Sequence, residues 1–270
     1  MYFIKAIIDI IIILLLIRLL IRPNEAYFNN IFNLLYRVTD PFLVPVRYIL
    51  RDETKGILLS VLCLVLIRGL VYLSIKPMSF ISGTGYSLLS LFRLLFRFYM
   101  VIWFVSVLTK YSFESSFLNM VQKAFVPLHS ISKRFGLAGR NFYVFTFFFL
   151  WVLYALLISL IDFAMLTGAV HPSFSIVKGL GEGLILMIGL FPGFFSLVII
   201  VGALLSWVSP DPYNPVVQAI YGISEPFLAP FRRIIPNLGG LDISPIFALL
   251  SFQILGRLAQ QLVAAIMGVI

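Results

Sequence analysis

Six stretches of this chain, at 3–21, 56–75, 86–109, 141–166, 184–208 and 245–267, are apolar over roughly 20 residues each, the length of helix that crosses a bilayer core. Composition gives that surface no other place to go. Hydrophobic residues make up 61% of the chain and charged residues only 11%, against about 25% charged in a soluble domain. In lipid every backbone polar group must be satisfied within its own segment, so each stretch is read as a helix. The fifth is interrupted by Gly189, Pro192 and Gly193, which predicts a kink. Residues 173–182 before it read as interfacial or as part of that span. The first stretch follows Lys5 without a small-residue cleavage site and reads as a retained span.

The connections alternate in length and charge. The long ones, 22–55, 110–140 and 209–243, hold Arg22, Arg37, Arg47, Arg51, Lys55, Lys110, Lys123, Lys133, Arg134, Arg140, Arg232 and Arg233. The other side holds Lys5, Lys76 and Lys178. Twelve basic residues against three place the long loops in the cytoplasm and both termini outside. The net charge of +9 therefore reports topology and attraction to anionic headgroups rather than nucleic-acid binding.

A repeat runs through the loops. YRVTDPFLVPVRYI at 36–49 aligns without a gap on YGISEPFLAPFRRI at 221–234. The alignment matches Asp40 with Glu225, Pro41 with Pro226, Pro45 with Pro230 and Arg47 with Arg232, and Asn29 keeps its offset from Asn214. A weaker copy lies at 126–145, where Pro127, Lys133, Arg134 and the run LAGRN echo the pattern. The expected architecture is all-α: a polytopic membrane protein of about six transmembrane helices in three helix–amphipathic loop–helix hairpins, at 1–76, 86–166 and 184–268. In the third loop, Phe227, Leu228, Phe231, Ile234 and Ile235 recur at helical spacing. A short surface helix over 226–235 is expected, capped by Ser224 with Pro226 in its first turn and Arg232 and Arg233 toward water. After the Gly239-Gly240 turn, Ser244-Pro245 reads as the start of the last span.

SWVSPDPYNPVV, EPFLAPFRRIIPNLGGLDISPI and the closing apolar helix resemble the YggT (YlmG) family of small integral membrane proteins, closely over 197–262 and moderately over 15–70. The 1–76 hairpin is a degenerate copy with RDETKGIL in place of the GGLDISP turn, the middle one is strongly diverged, and the third is complete. The resemblance implies membrane-protein or cytochrome assembly, division and nucleoid organisation, or osmotic tolerance, with no enzymatic reaction attached and a bacterial cytoplasmic (inner) membrane location.

Neither catalysis nor cofactor binding is expected. His129 and His171 fall in different loops, Cys63 is the lone cysteine, and no metal-binding or nucleophile motif occurs. Charge inside the spans is the second candidate feature. Asp9, Arg68, Arg97 and Arg257 each lie about 18 Å from a cytoplasmic helix end at 1.5 Å per residue. Such groups need partners or a wet cavity. Asp9 and Asp162 are the available anions, and Asp9 with Arg68 is the expected pair. An excess of deep arginines argues against a cation pore. The partner-docking set is Glu225, Pro226, Pro230, Arg232, Arg233, Gly239, Gly240 and Asp242, with Asp40, Pro41, Pro45 and Arg47 in the first hairpin. The function expected from these residues is an assembly or scaffold factor docking another membrane protein or complex through its loops. The alternative is transport or ion homeostasis through the deep charges.

Overall fold

A computed structural model describes residues 2–21, 30–50, 52–75, 79–108, 124–134, 136–137, 139–165, 174–208, 211, 214–235 and 242–268. The described residues form helices and no strand: α1 (Tyr2–Leu20), α2 (Asn30–Arg47), α3 (Glu53–Ile75), α4 (Phe80–Leu108), α5 (Val126–Arg134), α6 (Arg140–Met165), α7 (Ile176–Ile188), a π-helical turn (Phe191–Phe195), α8 (Ser196–Val208), α9 (Pro215–Ile234) and α10 (Ser244–Met267). The fold is an all-α, polytopic membrane architecture. Five segments, α3, α4, α6, the α7–α8 run and α10, are long and apolar enough to cross a membrane. The first expected span, α1, falls outside that set. Its 19 residues include Lys5, Asp9 and Arg18, and its polar cargo is met by protein rather than lipid, as follows.

The chain divides into two compact units, one of residues 1–95 and 157–174, the other of 96–156 and 175–270. The middle hairpin thus contributes to both. In the first unit, α1, α2 and α3 pack around Ile8, Ile12, Leu15, Leu43, Ile57, Val61, Leu64 and Val65. Arg68 of α3 is fully buried. Its guanidinium pairs with Asp9 of α1 and donates to the Ser87 hydroxyl at 3.1 Å and the Ser87 carbonyl at 2.6 Å. Ser87 in turn donates to the Val65 carbonyl at 2.6 Å. A charge in this setting is tolerable because every side of it is occupied. Nearby, α3 and α4 approach so closely that a Cβ on Gly83 would sit 3.1 Å from the Gly69 carbonyl, the small-residue contact that lets membrane helices touch through their backbones.

In the second unit, the interruption at Gly189, Pro192 and Gly193 is a π-helical turn inside one continuous 31-residue apolar run from Ile176. The looser winding leaves carbonyls to be satisfied. Two glutamines of α10 donate across to this run: Gln260 to the Ile185 carbonyl at 2.9 Å, which also accepts the Gly189 amide at 2.9 Å, and Gln253 to the Pro192 carbonyl at 2.8 Å. Gly256, between them, admits the Pro192 ring, which a Cβ would meet at 3.0 Å. The described part of 173–182 belongs to this span, since Ser175 caps α7 by accepting from the Lys178 amide. Rings of Phe191, Phe195, Phe227 and Phe252 fill the space among the π turn, α9 and α10, with Phe195 and Phe227 centroids 4.8 Å apart.

Removing one partner of a buried ion pair costs about 3–5 kcal/mol, because the other charge is stranded. Asp9→Ala should therefore lower the yield of folded protein sharply, and Asp9→Ala combined with Arg68→Leu should recover part of it. Detergent-extracted, monodisperse protein is the measure, and a double variant no better than Asp9→Ala would reject the pairing's role.

Candidate docking surface

The third loop is built on a longer helix than its apolar stripe suggests. α9 starts at Pro215, with Asn214 as the cap whose side chain accepts from the Val216 amide at 2.9 Å. Ser224, the expected cap, is instead buried in mid-helix, its hydroxyl donating to the Tyr221 carbonyl. The stronger start signal lies ten residues upstream, and Pro226 and Pro230 both fall inside the helix. Each removes a backbone donor. Burial of Val217, Ile223 and Leu228 offsets that loss, with Leu228 packed against Ile199 of α8 and Ala248 of α10. In the first hairpin, α2 begins at the matching register and also carries its two prolines, Pro41 and Pro45, internally. The weaker match at 126–145 covers α5, which ends in the exposed Lys133 and Arg134. Its His129 lies edge-on to Phe142.

The opposite face of α9 presents Glu225, Pro230, Arg232, Arg233 and Ile234 to the outside. Glu225 and Arg232 stand two turns apart on one side of the helix, and Arg232 Nη1 donates to Glu225 Oε2 at 2.5 Å. Its Nε donates to Asp242 Oδ2 at 2.7 Å. The other oxygen of Asp242 accepts the Ser244 amide at 2.9 Å, so the aspartate does the capping work at the start of α10. Ser244 does not: its hydroxyl is buried with no partner. Asp242 therefore ties the end of one helix to the start of the next through a single carboxylate. Gly239 and Gly240, which join them, lie outside the described residues.

The first hairpin uses the same register for a different end. Arg47 donates to Asp40 at 3.1 Å, as Arg232 does to Glu225. Asp40 Oδ1 also receives Nη1 of Arg18, from α1, at 2.9 Å. Arg18 is 2% exposed. It donates to Glu53 through Nε at 3.0 Å and Nη2 at 2.7 Å, and to Thr39 at 2.8 Å, while its guanidinium lies 3.9 Å from the Tyr36 ring centroid. Asp52 caps α3 by accepting from the Thr54 amide at 2.9 Å. The acids of the first loop are thus absorbed by a sealed internal arginine. In the third loop two acids converge on an exposed one.

Arg18, Asp52 and Glu53 are functional-looking residues that the repeat comparison passes over, because α9 and α8 have no counterpart of Arg18. A lone arginine near the end of span one, followed by the acidic pair in RDETK, is the available signal. Of the other deep charges, Asp162 is half-buried near the end of α6, and Arg97 and Arg257 are exposed on α4 and α10. Among the described residues no three His, Cys, Asp or Glu side chains gather as metal ligands.

Burial would raise the pKa of Asp242, but hydrogen bonds from Arg232 and Ser244 outweigh it and hold the carboxyl below its usual range. Burial likewise opposes the Arg232 charge, and the bonds to Asp242 and Glu225 raise its pKa regardless. A carboxyl lowered on folding adds stability above its unfolded value, near pH 4, and loses that contribution only as pH falls through the lower folded value. The bridge should then persist from neutral pH to below about pH 4. Carboxyl carbon-13 NMR of the labelled protein should place the Asp242 midpoint below that of an exposed aspartate, and Arg232→Ala should move it back up.

The family model described as CCB3/YggT matches residues 181–263, which hold α9, the Arg232–Asp242 bridge and most of α10. An uncharacterised protein of Pseudomonas aeruginosa is 45% identical over 85 residues, 32% of this chain and 43% of its own length. One from Vibrio alginolyticus is 32% identical over 141 residues, 52% of this chain and 74% of that protein. The protein YggT of Escherichia coli is 34% identical over 58 residues, 22% of this chain and 30% of its own. The chain therefore spans less than half the length of the Pseudomonas and Escherichia relatives. No solved structure matches it.

Proposed function

The chain belongs to the YggT family of multi-pass membrane proteins, and from that premise we propose that it is a non-enzymatic assembly or scaffold factor that docks partner membrane proteins through its amphipathic loop helices, α9 above all. The observation that carries the reading is the exposed Arg232 fixed between Glu225 and Asp242, beside the exposed Arg233 and Ile234. Attraction to lipid phosphate needs only a mobile positive charge. A recognition surface needs a guanidinium held in place, and two carboxylates hold this one. In this reading the long loops face the cytoplasm of a bacterium, the inner membrane is the location, and both termini lie outside.

Transport through the deep charges, with a role in osmotic tolerance, receives less support. The donors of Arg68 are taken up by Asp9 and Ser87, those of Arg18 by acids and Thr39, and Arg97 and Arg257 are exposed on α4 and α10. The closed sets around Arg68 and Arg18 suit a role in holding helices together.

An exposed ion pair contributes about 0–1 kcal/mol to stability, so docking and folding are separable here. Arg232→Ala and Asp242→Ala should abolish complementation of a deletion strain while membrane abundance stays near wild type. Arg47→Glu should do less harm, since its loop lacks the second acid that fixes Arg232. Full complementation by the Arg232 and Asp242 variants, or failure explained by loss of protein, would reject docking through α9.

A further inference from the structure

The last span has two faces of opposite character. Its inner face carries Gln253, Gly256 and Gln260 against the π turn and α7. Its outer face carries Leu250, Ile254, Leu258 and Leu262, each more than half exposed. Among them stand Arg257 and Gln261, one helical turn apart and both exposed. Only 11% of this span's apolar window is buried, against 28–44% for the other four.

Lipid cannot serve this pair. Arg257 stands midway along α10, roughly 15–20 Å from either end at 1.5 Å per residue. That distance exceeds the reach of an arginine side chain to headgroup phosphate. Neither Arg257 nor Gln261 has a hydrogen-bond or ion-pair partner among the described residues. Charged groups inside a membrane face protein or water rather than hydrocarbon. A second copy is a poor occupant. Two α10 helices meeting about a two-fold axis would set Arg257 against its own equivalent. The chain's described intramembrane carboxylates are also committed or misplaced: Asp9 pairs with Arg68, Glu182 accepts from the Tyr154 hydroxyl, and Asp162 lies near the end of its helix rather than the middle.

We propose that the outer face of α10, centred on Arg257 and Gln261, is an intramembrane docking surface for a transmembrane helix of another protein that carries a carboxylate near mid-bilayer. Charge complementarity selects the partner, because the carboxylate and the guanidinium solvate each other where water is absent. Gln261 adds a donor one turn on, and the small Ala265 continues the face. The inference stands on α10 alone and does not depend on the reading of α9.

The test reconstitutes the full chain, donor-labelled, into liposomes at fixed pH. It is titrated with an acceptor-labelled single-span leucine–alanine helix bearing one Glu at its centre, and with the same helix bearing Leu there. Energy transfer should show the Glu helix binding about tenfold more tightly than the Leu helix, a difference of about 1.4 kcal/mol. Arg257→Leu should remove that preference, and Gln261→Leu should reduce it to about threefold. Arg97→Leu and Arg232→Ala should leave it intact. Equal binding of the two helices by wild type overturns the proposal, as does a preference that survives Arg257→Leu in monodisperse protein. Self-association of the chain that Arg257→Leu abolishes, with no preference for Glu, would assign the face to a second copy and also overturn it.

Discussion

A guanidinium cannot be left alone where water is scarce, and the placement of arginine organises this protein. Arg68 is closed off by Asp9 and Ser87, and Arg18 by Asp40, Glu53, Thr39 and the face of Tyr36. Each closure ties helices that hydrophobic burial alone would leave free to slide, since lipid is as apolar as the side chains it would replace. Packing at Ile12, Leu15 and Val65 then has a register to fill. The same economy explains why α1, with three charged residues in 19, can sit among spans: two of them are answered within the protein.

Two loop helices of matching sequence, α2 and α9, are turned to different ends. α2 and α9 share a start, two internal prolines and an acid–arginine pair two turns apart. In the first hairpin an arginine from the preceding helix reaches into the loop, shares Asp40 with Arg47 and takes Glu53. In the third the preceding helix offers none, and Asp242, just before α10, meets the loop's own arginine. The GGLDISP turn can thus be understood physically: the aspartate caps α10 with one oxygen and fixes Arg232 with the other.

Much of this was legible in the sequence. Apolar length marks five of the six expected spans, and a π-helical turn stands where Gly189, Pro192 and Gly193 lead one to expect a kink. The opposite charges of Asp9 and Arg68 at similar depth anticipated their meeting. Periodicity places the start of α9 too late, because Ser224-Pro226 suits a cap and first turn, whereas tertiary packing of Ile223 and Leu228 carries the helix through both prolines from Pro215. Ser244 was likewise read as a cap by residue type, while the neighbouring carboxylate took the amide. Arg18 escaped notice since its partners lie in two other elements, and a gap-free repeat cannot reveal a residue present in only one copy. Gln253 and Gln260 carry no local sequence signal, since the carbonyls they meet lie 61 and 75 residues away along the chain.

In the proposed docking role, Arg232 acts through its fixed, forked geometry rather than through its charge. Arg232→Lys separates the two, because lysine keeps the charge at the membrane surface but cannot span Glu225 and Asp242 with separate planar donors. The direct measurement is complementation by Arg232→Lys, scored beside membrane abundance. The variant should accumulate at wild-type levels and fail to complement. Full complementation by lysine would contradict it and leave Arg232 as an electrostatic anchor.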